Sequence, residues 1–362
     1  MRCVGYRGDR GTISACLALA VTRVSVIGAG SWGTAVAALA AHNAGTTLWA
    51  RRPELAEAVD ERHENPVYLA GVRLPESLRA TAHLGDAVRA ADVVVMGVPS
   101  HGFRAVLNEA RSEIRSDAVL ISLSKGVEQG TLLRMTEVIG EVLGEGGTRS
   151  DPARIGVLTG PNLAKEVAAG QPAASVVAIP DAAIAEIVQH VFMTPTFRVY
   201  TNPDVVGCEI AGALKNVVAI GVGMAHGLGY GDNAKAALIT RGLAELARLG
   251  VALGGDPLTF AGLAGMGDLI ATCSSPQSRN RSVGVALGEG RTLDEIVAEM
   301  NMVAEGVKST AAVLELATRC GVEMPVAEFV GRVLYDGANP ADHVAALMGR
   351  AAKSELQGMR DQ

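Results

Sequence analysis

The sequence predicts an α/β protein: an N-terminal doubly wound domain on a largely parallel sheet, followed by an all-helical C-terminal domain. Three observations lead there. Residues 24–27, Val-Ser-Val-Ile, form a short apolar run rich in β-branched residues, and glycines follow at 28, 30 and 33. Short apolar runs then alternate with helical patterns up to residue 202, as parallel sheets wound by helices require. Past residue 203 the strand signal fades and apolar residues recur every three to four positions.

The first stretch fixes the rest. Residues 24–27 read as a buried strand and 34–41 as a helix, so the order is strand, G-x-G-x-x-G, helix. That is the context a dinucleotide-binding turn of the Rossmann type needs. Gly28 permits the tight turn, Gly30 lets a diphosphate approach the backbone, and Gly33 lets helix and strand pack closely. The diphosphate then lies at the positive end of the helix. Residues 46–50 read as the second strand and run into Arg51-Arg52. An acidic residue often ends this strand when NAD is preferred, whereas an arginine pairs with a 2′-phosphate. NADPH is therefore favoured, with NADH accepted.

Residues 92–99 read as a strand and 100–109 as a helix. The strand at 119–123 ends in Ser124-Lys125-Gly126, and the strand at 155–158 ends in Thr159-Gly160-Pro161-Asn162. A glycine-rich polar connector at 144–152 joins them, and 174–179 and 197–200 complete the strands. Pro99, Lys125 and Gly160 stand at carboxyl ends of strands, where ligands bind in such sheets. Residues 201–204 are a turn-rich break and the expected hinge. Beyond it, Asp232 is expected to cap a helix that carries Ile239, Leu243, Leu246 and Leu249 and stops at Gly250. Ser309 is expected to cap another, with Val313, Leu316, Ala317 and Cys320 on one face and Gly321 after it.

At 362 residues the chain is long enough for two domains. The division expected is 1–22 a disordered leader, 23–202 the dinucleotide-binding domain, 203–350 a helical substrate-binding domain and 351–362 a polar tail. A net charge of −6 argues against wrapping nucleic acid. The five cysteines, at 3, 16, 208, 273 and 320, are odd in number with no close pair, so free thiols in a reducing compartment are expected. No His-Glu-x-x-His spacing marks a metal site. No apolar run approaches the roughly 18 residues of a membrane helix, so no stable membrane insertion is expected. In the leader, Arg2, Arg7 and Arg10 precede an apolar run at 16–21, and Ala18-Leu19-Ala20 mimics a signal-peptidase site. That run is short and leads straight into the first strand, so a cytoplasmic protein is the reading.

Three stretches could carry chemistry. Lys215 and Asn216 interrupt an otherwise apolar, small-residue helix over 209–220. A lysine buried there has its pKa lowered, which suits proton transfer. Asp268 follows the turn Gly265-Met266-Gly267. Ser278-Arg279-Asn280 offers a hydroxyl, a forked cation and an amide, a natural donor set for phosphate. Two decoys fall away. Gly306-Val307-Lys308-Ser309-Thr310 lacks the glycine before lysine of a phosphate loop, and Ser100-His101 lacks the nucleophile-elbow spacing.

Taken together, the sequence resembles the bacterial NAD(P)-dependent glycerol-3-phosphate dehydrogenase family. The matching stretches are Gly28-Ala29-Gly30-Ser31-Trp32-Gly33, Leu123-Ser124-Lys125-Gly126, Gly160-Pro161-Asn162-Leu163-Ala164-Lys165-Glu166, Ala213-Leu214-Lys215-Asn216, Gly267-Asp268-Leu269, Ser278-Arg279-Asn280 and Val303-Ala304-Glu305-Gly306. They follow the family's order and spacing. The resemblance implies reversible reduction of dihydroxyacetone phosphate to sn-glycerol 3-phosphate, a glycerophospholipid precursor, with NADPH or NADH. It implies Lys215 as the acid–base residue, and Lys125, Gly160, Asn162, Asp268, Ser278, Arg279 and Asn280 around the substrate. Ser31, Trp32, Arg51, Arg52, Lys125, Ala164, Arg279, Val303 and Glu305 would contact the cofactor, beside Gly28, Gly30 and Gly33. Asn162 stands where the family more often has serine, and the leader has no family counterpart. A homodimer joined through the helical domain is expected. Two other readings stay open: another two-domain dehydrogenase acting on a hydroxyacid or ketoacid, and a non-catalytic NAD(P)-sensing protein.

Overall fold

The computed structural model describes residues 22–145, 151–300 and 304–342. The leader, most of the 144–152 connector and the polar tail lie outside them. Among the described residues, eight strands form one sheet: β1 (Arg23–Ile27), β2 (Gly45–Trp49), β3 (Arg79–Thr81), β4 (Val93–Met96), β5 (Val119–Ser122), β6 (Ile155–Thr159), β7 (Ala173–Ala178) and β8 (Phe197–Asn202). Their spatial order is β3-β2-β1-β4-β5-β6-β7-β8. Neighbours pair in parallel except β6 with β7, so β7 and β8 run against the rest. The first six strands thus have the doubly wound order, whose crevice lies beyond the carboxyl ends of β1 and β4. β4, β5 and β6 are buried along their whole length, because helices cover both faces. β3 has only three residues and no periodicity to announce it.

The helices of this half are α1 (Ser31–Ala40), α2 (Pro53–Arg62), α3 (Leu84–Val88), α4 (Ser100–Ala110), α5 (Met135–Glu145), α6 (Ala164–Ala168) and α7 (Ala182–Phe192). α1 starts three residues earlier than the sequence suggests, with Gly30 as its N-cap and Gly33 inside its first turn. The helical half holds α8 (Val205–Gly227), α9 (Asp232–Ala252), α10 (Pro257–Ala261), α11 (Asp268–Ser274), α12 (Arg279–Gly288), α13 (Leu293–Glu299), α14 (Glu305–Cys320) and α15 (Pro325–Tyr335). A single π-helical turn, Leu263–Gly267, leads into α11.

Three expected helix ends move. Gly231, not Asp232, caps α9. Gly250 lies inside α9, where a side chain would strike the Phe260 ring at 2.1 Å; it is a packing glycine and not a stop. Ser309 lies inside α14, its hydroxyl donating to the Glu305 carbonyl at 2.8 Å, and Ala304 is the cap. Gly321 does end α14, in the left-handed region at φ 64°.

α8 runs through the middle of the helical half and is buried from Gly207 to Ala225. Asp204 caps it, accepting from the Gly207 amide at 2.8 Å. By length and composition α8 could cross a bilayer, with a mean hydropathy of 1.6 over its apolar window, which corrects the expectation that no segment comes near. Glu209 and Lys215 break the apolar run in sequence, and 89% of the window is buried by protein. Its glycines decide its neighbour. A Cβ on Gly223 would stand 3.0 Å from the Gly284 Cα, and one on Gly227 would stand 3.0 Å from the Gly288 Cα. Side chains there would push α8 and α12 apart, and with them Asn216 and Asn280.

Candidate active site

The glycine turn divides its labour. Gly28 sits at φ +115°, and a side chain there would press on the Gly97 carbonyl at 2.7 Å. A Cβ on Gly33 would meet the Gly28 carbonyl at 2.0 Å, so the third glycine permits the helix–strand contact. At Gly30 a Cβ would meet nothing within 4 Å; it would only fill the space in front of α1. This open cradle at a helix N-terminus fits a dinucleotide diphosphate. Trp32 lies close by, its ring 6.3 Å from that of Phe197. The Ser31 hydroxyl donates to the Tyr68 carbonyl at 2.6 Å, a partner the sequence did not suggest. Arg51 and Arg52 follow β2 and are exposed.

Asp268 centres the polar cluster beyond β5 and β6. It opens α11 and is 2% exposed. Its Oδ1 accepts from Lys215 Nζ on α8 at 2.7 Å, and its Oδ2 accepts from Lys125 Nζ after β5 at 2.7 Å. Lys215 also donates to the Thr272 hydroxyl at 2.6 Å, and Lys125 to the Gly160 carbonyl at 3.0 Å. Each ammonium has three N–H donors, so each keeps one for a ligand. Burial pushes Lys125 down to about 8, with the Lys215 charge adding to the effect and Asp268 opposing it.

Side-chain amides tie this cluster to the next elements. Asn216 Nδ2 donates to the Lys125 carbonyl at 3.2 Å, and its Oδ1 accepts from Asn280 Nδ2 at 2.9 Å. Asn280 Oδ1 accepts from the Gly306 amide at 2.9 Å. A side chain on Gly306 would collide with both asparagines at 2.8 Å. Burial raises the Glu305 carboxyl, and the charges of Arg279, Lys215 and Lys125 oppose that rise. Ser278 caps α12, accepting from the Arg281 amide at 3.3 Å, and Arg279 is exposed at the first turn.

Lys125, Gly160, Lys215, Asp268, Asn280 and Glu305 therefore come together. Asn162 turns toward β7, where it donates to Ser175 Oγ at 3.1 Å, and its buried Oδ1 has no partner. Ala164 opens the short α6. Val303 lies outside the described residues. Sequence reasoning missed the direct contacts of Thr272 and the bridging role of Asn216. A signal existed for each: Thr272 is four residues past Asp268 on one helix face, and Asn216 is a second polar residue in the apolar helix.

Known proteins resemble this chain over most of its length. Residues 23–185 match the family described as NAD-dependent glycerol-3-phosphate dehydrogenase N-terminus, and residues 204–345 match its C-terminus. The chain is 54% identical over 335 residues to "Glycerol-3-phosphate dehydrogenase [NAD(P)+]" of Corynebacterium glutamicum strain R, covering 92% of this chain and 99% of that relative. The relative of the same name from Thermobifida fusca is 52% identical over 341 residues, 94% of this chain and all of its own length. The crystal structure of glycerol-3-phosphate dehydrogenase from Coxiella burnetii superposes with a TM-score of 0.84 at 34% identity, covering 91% of this chain and 99% of that one. The chain therefore belongs to the NAD-dependent glycerol-3-phosphate dehydrogenase family.

Proposed function

We propose that this chain reduces dihydroxyacetone phosphate reversibly to sn-glycerol 3-phosphate, using NADPH or NADH. The observation that carries the chemistry is Asp268 held between Lys215 of the helical half and Lys125 of the sheet half. The proposed division follows from it: 23–202 holds the cofactor, 203–350 holds most of the substrate, and the reaction occurs where they meet. A cytoplasmic homodimer joined through the helical domain completes the reading.

A bound nicotinamide dinucleotide supplies the hydride for reduction and takes it back for oxidation. Gly28, Gly30 and Gly33 shape its diphosphate cradle, flanked by Ser31 and Trp32. Arg51 and Arg52 would hold the adenosine end, and Lys125, Ala164, Arg279 and Glu305 would also contact the cofactor. Lys215 uses two of its donors on Asp268 and Thr272, which leaves the third for the ketone oxygen. As that oxygen gains negative charge, the Lys215 ammonium stabilises it and gives up a proton. Lys125 supplies a second positive charge, anchored by Asp268 and Gly160. Gly160 and Asn162 border the substrate, and Ser278, Arg279 and Asn280 grip its phosphate at the N-terminus of α12. That grip lies away from the reacting carbon, so its binding energy orients the ketone.

Arg279→Ala is expected to raise KM for dihydroxyacetone phosphate about tenfold to hundredfold, the cost of one charge-assisted contact. Steady-state kinetics with phosphorylated and unphosphorylated dihydroxyacetone check it. Equal use of both by the wild type would remove the phosphate reading and favour a hydroxyacid or ketoacid dehydrogenase. An absence of turnover with both NADPH and NADH would favour a sensing protein instead.

Lys125 gives a pH dependence. With its pKa near 8, the side chain is charged below that pH and neutral above it. kcat/KM for ketone reduction is expected to fall as pH rises through about 8. In Lys125→Arg the guanidinium stays charged, so this alkaline break should vanish even if the overall rate drops. A break that persists unchanged in Lys125→Arg belongs to another group.

A further inference from the structure

We infer that Arg52, rather than Arg51, reads the 2′-phosphate of NADPH, and that Tyr68 is the residue that positions it. The inference rests on the cofactor reading above and deepens it. Sequence alone does not rank the two arginines. In the structure the Arg52 guanidinium lies over the Tyr68 ring, 5.6 Å from its centroid, within cation–π range. Among the described residues, no ring lies under Arg51.

The ring is a fixed shelf. Tyr68 packs against the core of the sheet half together with Trp32. Its carbonyl accepts from the Ser31 hydroxyl at 2.6 Å, and its amide donates to Asn65 Oδ1 at 3.0 Å. Asn65 is wholly buried; its Nδ2 donates to the Ala29 carbonyl at 3.0 Å and to Thr34 Oγ1 at 2.8 Å. Tyr68 is therefore tied twice to the glycine turn, through Ser31 and through Asn65. What fixes the diphosphate cradle also fixes the ring.

Arg52 is held from its own side as well. It caps α2 at φ −96° and ψ 121°, and Pro53 follows it. Its other partner, Glu54, lies 3.7 Å away with both side chains largely in water, so that pair is loose and screened. A guanidinium resting on a ring keeps its N–H donors for a planar or tetrahedral anion. Because Arg52 is already placed, less side-chain freedom is lost when phosphate arrives. The sheet edge beyond β2 is also where the ribose of a dinucleotide lies in this fold.

The test uses the full chain with two probes that differ only in the 2′ group: adenosine 2′,5′-bisphosphate and adenosine 5′-monophosphate. Calorimetric Kd values are paired with KM and kcat for NADPH and NADH. Arg52→Ala is expected to weaken the bisphosphate about tenfold or more while hardly touching the monophosphate. Arg51→Ala should shift their ratio less. Tyr68→Leu should weaken the bisphosphate about two- to fivefold and the monophosphate less, and Tyr68→Phe should keep the wild-type affinity for both, since the ring face is what matters. The inference is overturned if Arg51→Ala produces the larger selective loss, or if Tyr68→Leu weakens both probes equally. In the second case Tyr68 is only structural. If the wild type binds both probes equally and neither arginine variant is selective, the arginine-based NADPH reading itself fails.

Discussion

Lys215→Ala is expected to lower kcat for dihydroxyacetone phosphate reduction by roughly 10²- to 10⁴-fold, the range a positioned proton donor supplies. The geometry says why the loss should fall on kcat. Lys215 is buried on α8 and its ammonium is oriented by Asp268 at 2.7 Å and Thr272 at 2.6 Å. Alanine leaves no proton donor at the ketone oxygen and removes the cation aimed at it. The glycine cradle is untouched, so NADPH affinity, read by fluorescence, should change little. Asp268 keeps Lys125 as a partner, so the fold should survive. Lys215→Arg separates charge from proton transfer: guanidinium keeps the charge but does not give up its proton, and kcat should stay low. A Lys215→Ala enzyme retaining more than about a tenth of wild-type turnover removes Lys215 from this role.

The sequence made some parts of this site readable and hid others, for physical reasons. The β1–turn–α1 unit was legible because each glycine there answers a local demand, and local demands leave a pattern. Lys215 was legible because a cation in an apolar helix is costly and so conspicuous. The antiparallel turn of β7 was not, since strand direction is set by how the chain returns to the sheet and not by any residue in Ala173–Ala178. Helix ends at Asp232, Gly250 and Ser309 were misplaced because these residue types serve both caps and packing. Gly250 is small to admit the Phe260 ring, and Ser309 returns its hydroxyl to its own helix. The meeting of Lys125 with Asp268 joins residues 143 positions apart, and no local signal records it. Only the family's order of motifs hinted at their partnership.

Asp268→Asn is expected to be the most disruptive single change at the site, because it acts on stability and rate together. One carboxylate, 2% exposed, is the shared counter-charge of two ammonium groups whose side chains are 15% and 6% exposed. An asparagine has one acceptor oxygen and an NH₂ that faces a lysine with another donor. One lysine therefore loses its partner while still buried. Breaking such a pair costs about 3–5 kcal/mol, since the remaining charge loses its hydrogen-bonded counter-charge in a site largely closed to water. The variant can lower that cost by shedding a proton. Asp268 is what holds the Lys125 pKa up against burial, so its loss should move the alkaline break to below about 8. Reduction at neutral pH then falls for two reasons: Lys215 is no longer aimed, and a larger share of Lys125 is neutral. The loss should be smaller at lower pH, where protons are more available, and a simple structural defect would not show that dependence. Denaturant midpoints and pH–rate profiles of wild type and Asp268→Asn, measured side by side, decide the matter. An unchanged midpoint with turnover above about a tenth of wild type would mean that the carboxylate neither balances nor orients the two lysines.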